Sequence, residues 1–135
     1  MTNKMRIKVS FLNETLTDFS QSRFEHIKKF VPFAVRPLLK GPAIYGRIGH
    51  PADDCSLEEF LSQPSEEVRA FSIHDIGWLK DSPEPILTGT IQFEDSPIGR
   101  EAKFIFLDGG RFSIRSAFDG NTLEVITWDL IPANH

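Results

Sequence analysis

The stretch from Arg111 to Ile131, RFSIRSAFDGNTLEVITWDLI, decides the fold class. Two runs rich in β-branched and aromatic residues flank Asp119-Gly-Asn121, and an Asp-Gly step supplies the positive φ that tight hairpins need. Phe112, Ile114 and Phe118 share one face of the first run, while Arg111, Ser113 and Arg115 occupy the other. That period of two marks a strand packed on one side. Arg111–Phe118 and 122–131 therefore read as neighbouring antiparallel strands.

Upstream, the same pattern predicts strands over Val68–Trp78, 86–93 and Glu101–Leu107. The separators Asp81-Ser-Pro-Glu-Pro85, Asp95-Ser-Pro-Ile-Gly99 and Asp108-Gly-Gly110 have turn chemistry. Parallel neighbours need long crossovers, so successive strands with short turns imply an antiparallel meander. At the other end, Met5, Ile7, Val9 and Phe11 alternate with Arg6, Lys8 and Ser10, which predicts one more strand. Phe24, Ile27, Val31 and Ala34 fall at helical spacing after a capping Thr17 or Asp18, which predicts one long helix ended or kinked by Pro32. Ala43–Ile48 reads as a short strand between Gly41 and Gly49. Ser56-Leu-Glu-Glu59 has capping-box spacing, so a short helix is expected over 56–63, with Leu57, Phe60 and Leu61 on its buried side.

The expected fold class is α+β: a meander of about five to seven antiparallel strands, with one long N-terminal helix and one short helix packed on one face. With 135 residues the chain fits one domain, 1–135. Twelve Phe against one Tyr call for a core, a dry cavity or an interface, because Phe has no polar handle. Cys55 is the single cysteine, which rules out an internal disulfide and suits a reducing compartment. The start has no signal-peptide pattern, and no run approaches the length of a membrane span. A cytoplasmic location without membrane association is expected.

Charge is divided unevenly. Residues 1–50 carry a net +6 and residues 51–135 a net −10, an asymmetry that can mark a charged partner surface. Glu66, Glu67, Asp75 and Asp81 belong to the acidic half, and Trp78 and Trp128 are the aromatic candidates for interface anchors. These six residues define the expected partner-binding set, and a protein with a basic surface is the partner that complements them. The leading expectation is a non-enzymatic binding module of inhibitor, immunity or adaptor type. Arg23, Lys28, Lys29, Arg36 and Lys40 offer a basic edge for nucleic acid, but the acidic total and the absence of a recognition motif weigh against it.

The alternative is a small-ligand-binding domain or small enzyme with a Phe-lined pocket between helix and curved sheet. Its polar groups are His50, Asp53 and Asp54, in Gly49-His-Pro-Ala-Asp-Asp-Cys55, together with His74. Imidazole and carboxylates can bind a metal or form an acid–base pair. Asp53 and Asp54 also precede a helix start, where carboxylates are favoured anyway. His74 and Asp75 are adjacent on a strand and point to opposite faces. Cys55 near that helix start is a weak nucleophile candidate. No phosphate loop, Gly-x-Ser-x-Gly, His-Glu-x-x-His or Cys-x-x-Cys is present, so no catalytic residue, metal or cofactor is assigned. Oligomeric state is left open, although an edge strand over 5–11 can pair across a homodimer.

Overall fold

Among the described residues, eight regular elements follow one another along the chain. They are β1 (Arg6–Ser10), β2 (Ile44–Gly46), α1 (Leu57–Phe60), β3 (Phe71–Trp78), β4 (Leu87–Phe93), α2 (Pro97–Leu107), β5 (Arg111–Phe118) and β6 (Leu123–Ile131), with a 3-10 turn at Arg36–Leu39. The computed structural model describes residues 6–10, 35–39, 43–81, 87–118 and 123–133, and only the backbone of Arg6–Ser10, Pro37, Phe118 and Leu123. The expected long helix lies outside the described residues, as do Met5 and Phe11.

The fold is α+β with antiparallel strands, but the strands form two sheets and not one meander. A four-stranded sheet has the order β1-β4-β3-β2, and β5 and β6 form a separate pair. The sheet splits because Glu101–Leu107, expected as a strand, is the body of helix α2. Ser96 caps this helix, its hydroxyl accepting the Gly99 amide at 3.1 Å, and Pro97 opens the first turn. Proline is preorganised for that position. Gly99 and Ala102 are buried, and Ile98, Ile105 and Phe106 pack on the core. This is an inward stripe of helical period. The run Phe104-Ile-Phe-Leu107 resembles a strand only when the capping residues before it are ignored.

Trp128, Phe71, Phe93, Ile73, Leu87, Ile91 and Leu130 are fully buried and hold the two sheets together. Phe71 meets Phe112 edge-on at 5.2 Å, and Phe106 lies 5.3 Å from Phe112. Aromatic pairs at such spacings add to simple burial. The expected Phe core is thus present, although Phe104 is 71% exposed.

The sheets join at β2. A Cβ on Gly46 would enter the Phe71 ring and the Trp128 carbonyl oxygen, so glycine is what lets β2 lie against β6. Beyond it the chain runs parallel to β6. The Leu130 amide donates to the Arg47 carbonyl and the Gly49 amide to the Leu130 carbonyl, both at 2.8 Å. Gly49, at φ +76°, then turns the backbone towards the outer face of the β5–β6 hairpin.

α1 is shorter than expected. Ser56 caps it as the spacing implies, accepting the Glu59 amide at 3.1 Å. None of its residues is buried, however, and Leu57 is 71% exposed. α1 and α2 lie on opposite sides of the hairpin. α2 packs on the Phe112 side of the hairpin, whereas the carbonyls at the end of α1 meet Arg115 on the opposite side.

A candidate catalytic site on the β5–β6 hairpin

Register assembles the site. In the β5–β6 ladder Ser113 pairs with Asp129 and Arg115 with Thr127, so all four side chains project from one face. Phe112, Ile114, Trp128 and Leu130 project from the other face, into the core. The polar face is covered by residues 47–53 and by α1, so it is not the wet face that alternation alone suggests. Asp129 is 0% and Arg115 2% exposed.

A buried carboxylate is tolerated only when paired and hydrogen-bonded. Oδ2 of Asp129 accepts from His50 Nδ1 at 2.8 Å and from Arg115 Nε at 3.0 Å. An ionised carboxylate can only accept, so with His50 neutral the ring proton sits on Nδ1 and Nε2 presents a lone pair. Ser113 Oγ lies 3.3 Å from that nitrogen. The separation is slightly longer than a well-formed hydrogen bond, and the hydroxyl faces that nitrogen. Asp129, His50 and Ser113 thus stand in line as acceptor, relay and hydroxyl.

Arg115 completes the network. Its Nη1 lies against the carbonyls of Phe60 at 2.8 Å, Ser62 at 3.2 Å and Glu59 at 3.4 Å, at the C-terminal end of α1 and just beyond it. Carbonyls at a helix end lack intrahelical partners, and a cation satisfies them.

Two clefts flank His50. One, of about 530 Å³, is walled by Pro51, Cys55, Leu57, Phe60 and Ile114 and opens onto His50, Asp53 and Arg115. The other, of about 540 Å³, is lined by His50, Asp53, Arg111 and Ser113. The first cleft is mainly apolar, and among the described residues Phe60 is its single phenylalanine. It lies between α1 and the hairpin.

The residues singled out from sequence are scattered. Asp53 shares both clefts with His50, while Asp54 is exposed in the turn before α1. His74 sits on β3, its Nε2 2.7 Å from Ser72 Oγ, in the other sheet. Among the described residues no group of three or more His, Cys, Asp or Glu is arranged to hold a metal. Glu66 and Glu67 are exposed and border a cleft with Tyr45, Arg69 and Glu94. Asp75 and Asp81 are exposed at φ 53° and 64°, in left-handed conformations that Asp adopts more readily than most residues. Trp78 is half-buried against the core, and Trp128 is fully buried in it. Trp128 therefore has no surface to offer a partner.

Ser113, Asp129 and Arg115 are the site residues that sequence reasoning missed. The usable signal was Asp129 itself. It is one carboxylate in the run from Val125 to Ile131, in which every residue is buried.

Comparison with known proteins finds no matching family model, no matching curated protein and no matching solved structure. The geometry carries the functional reading.

Proposed function

We propose that the protein is a hydrolase of amide or ester bonds, with Ser113 as nucleophile, His50 as general base and Asp129 as the orienting carboxylate. One observation supports this above the others. His50 bridges a fully buried carboxylate at 2.8 Å and a cleft-lining serine hydroxyl at 3.3 Å through its two ring nitrogens. A hydroxyl is a weak nucleophile until an adjacent base takes its proton, and that base needs a fixed tautomer.

In the proposed reaction Ser113 Oγ attacks the acyl carbon while His50 Nε2 accepts the hydroxyl proton. The imidazolium formed is stabilised by Asp129, which stays ionised. His50 returns the proton to the leaving amine or alcohol, and an acyl ester remains on Ser113. Water then attacks that ester as His50 removes its proton, which releases the acid and restores the serine. The apolar cleft walled by Leu57 and Phe60 suits a hydrophobic group on the substrate.

An active-site-directed fluorophosphonate tests the reading. Mass spectrometry should place one adduct on Ser113 of the full chain, and Ser113→Ala and His50→Gln should abolish it. Labelling that survives both changes would remove the proposal.

A second reading keeps the expected binding module with a basic protein partner. It is favoured by the exposed Glu66 and Glu67, which border one cleft with Glu94. Native mass spectrometry after a pull-down tests it, with charge reversal at Glu66 and Glu67 expected to release the partner.

A further inference from the structure

We infer that Arg115 is the positioning residue of this site. One buried guanidinium fixes the orientation of the Asp129–His50 pair and ties it to the α1 wall of the apolar cleft. The inference rests on the hydrolase reading for its consequence but not for its geometry.

A carboxylate with a single neutral partner can rotate about its own bond. Asp129 is held from a second direction, because Arg115 Nε reaches the same oxygen that receives His50 Nδ1–H, at 3.0 Å against 2.8 Å. The remaining polar atoms of the pair, Arg115 Nη2 and Asp129 Oδ1, are buried without another partner among the described residues. Nε and Nη2 form one side of the guanidinium fork, the side that matches the two oxygens of a carboxylate. The pair uses one arm of that side, Nε on Oδ2, and leaves Nη2 and Oδ1 without a partner among the described residues.

The opposite corner of the guanidinium, Nη1, is taken up by three carbonyls of residues 59–62. These residues follow Leu57 and include Phe60, both of which wall the apolar cleft. A shift of α1 must therefore displace the guanidinium, and a displaced guanidinium reorients Asp129. Lysine preserves the charge but presents one compact ammonium with no planar fork, so it cannot serve both groups in these directions.

The charged groups around His50 decide what is read. Asp129 faces it from β6, Arg115 and Arg111 stand on β5, and Asp53 shares its clefts from the connecting loop. Of these, only Asp129 contacts the ring, and only Arg115 holds Asp129.

The test uses the full chain with ¹⁵N-labelled histidine. Imidazole nitrogen shifts report the tautomer of His50 without any need for turnover, and the fluorophosphonate labelling rate of Ser113 reports the chemistry. Wild type is expected to show one Nδ1–H tautomer. Arg115→Met, folded by its near-ultraviolet circular dichroism, is expected to lose the single tautomer and to label slower by on the order of a hundredfold, the size of effect that ångström-scale misplacement brings. Arg115→Lys is expected to fall between the two and carries the test if the Met variant does not fold. An unchanged tautomer in a folded Arg115 variant would overturn the inference. A tautomer that responds to Arg115 while wild-type Ser113 never labels would uphold the inference and remove the hydrolase reading.

Discussion

Ser113 and Asp129 are direct cross-strand partners in the β5–β6 ladder, and His50, from another part of the chain, bridges their side chains with its two ring nitrogens. Their alignment is thus set by the hydrogen-bond register of a hairpin. Only the histidine depends on longer-range packing. It arrives because the Ile48–Leu130 bridge lays residues 47–49 beside β6.

Asp129→Ala should destabilise the protein by about 3–5 kcal/mol, because it strands the Arg115 guanidinium in a buried site without its countercharge. Asp129→Asn keeps the shape but offers an amide that can turn an N–H towards His50. A smaller loss of stability with a fall in kcat on the order of 10,000-fold is expected, since the wrong tautomer would be held. Urea unfolding and steady-state kinetics on the two variants check this. Equal stability losses would show that charge is not what holds Arg115.

Leu57 is 71% exposed and lies on the wall of the apolar cleft. Leu57→Ala should therefore leave stability within about 0.5 kcal/mol. It should also lower kcat/KM for substrates with a bulky apolar group by roughly tenfold, with small-substituent substrates little changed. Phe60→Ala should affect both groups of substrates, because the Arg115 guanidinium stands 6.0 Å from that ring. Kinetics across a series of acyl chain lengths separates the two.

Helix α2 depends on its cap. Ser96→Ala removes the acceptor for the Gly99 amide and should cost about 1 kcal/mol, recovered by Ser96→Asp. Thermal unfolding of the two variants is the check. No loss in the alanine variant would mean that Pro97 and the packing of Ala102 suffice to start the helix.

Much of the hairpin was legible in the sequence. The bounds of β5 agree with the expectation and β6 is described from Leu123 to Ile131, inside the expected 122–131, because alternation fixes strand and face together. What covers each face was not legible. Arg115 reads as a solvated side chain until α1 is seen to place its carbonyl groups against it. Asp129 reads as one polar position in a strand until Gly49 is seen to turn His50 onto it. At α2 the structure departs from the expectation because a short run of Phe and Ile satisfies both the strand and the helix period, and Ser96-Pro97 suits a turn as well as a helix start. His50 is legible as a candidate, but its contact with Asp129 is not. Asp53 and Asp54 are near it in sequence, whereas the carboxylate that contacts it lies 79 positions away.

The most direct measurement is mass spectrometry of the full chain after exposure to the fluorophosphonate. The account expects one adduct, located on Ser113 and absent from Ser113→Ala and from His50→Gln while both variants remain folded. A folded wild-type protein that takes up no label at Ser113, or one that is labelled equally well without His50, would contradict it.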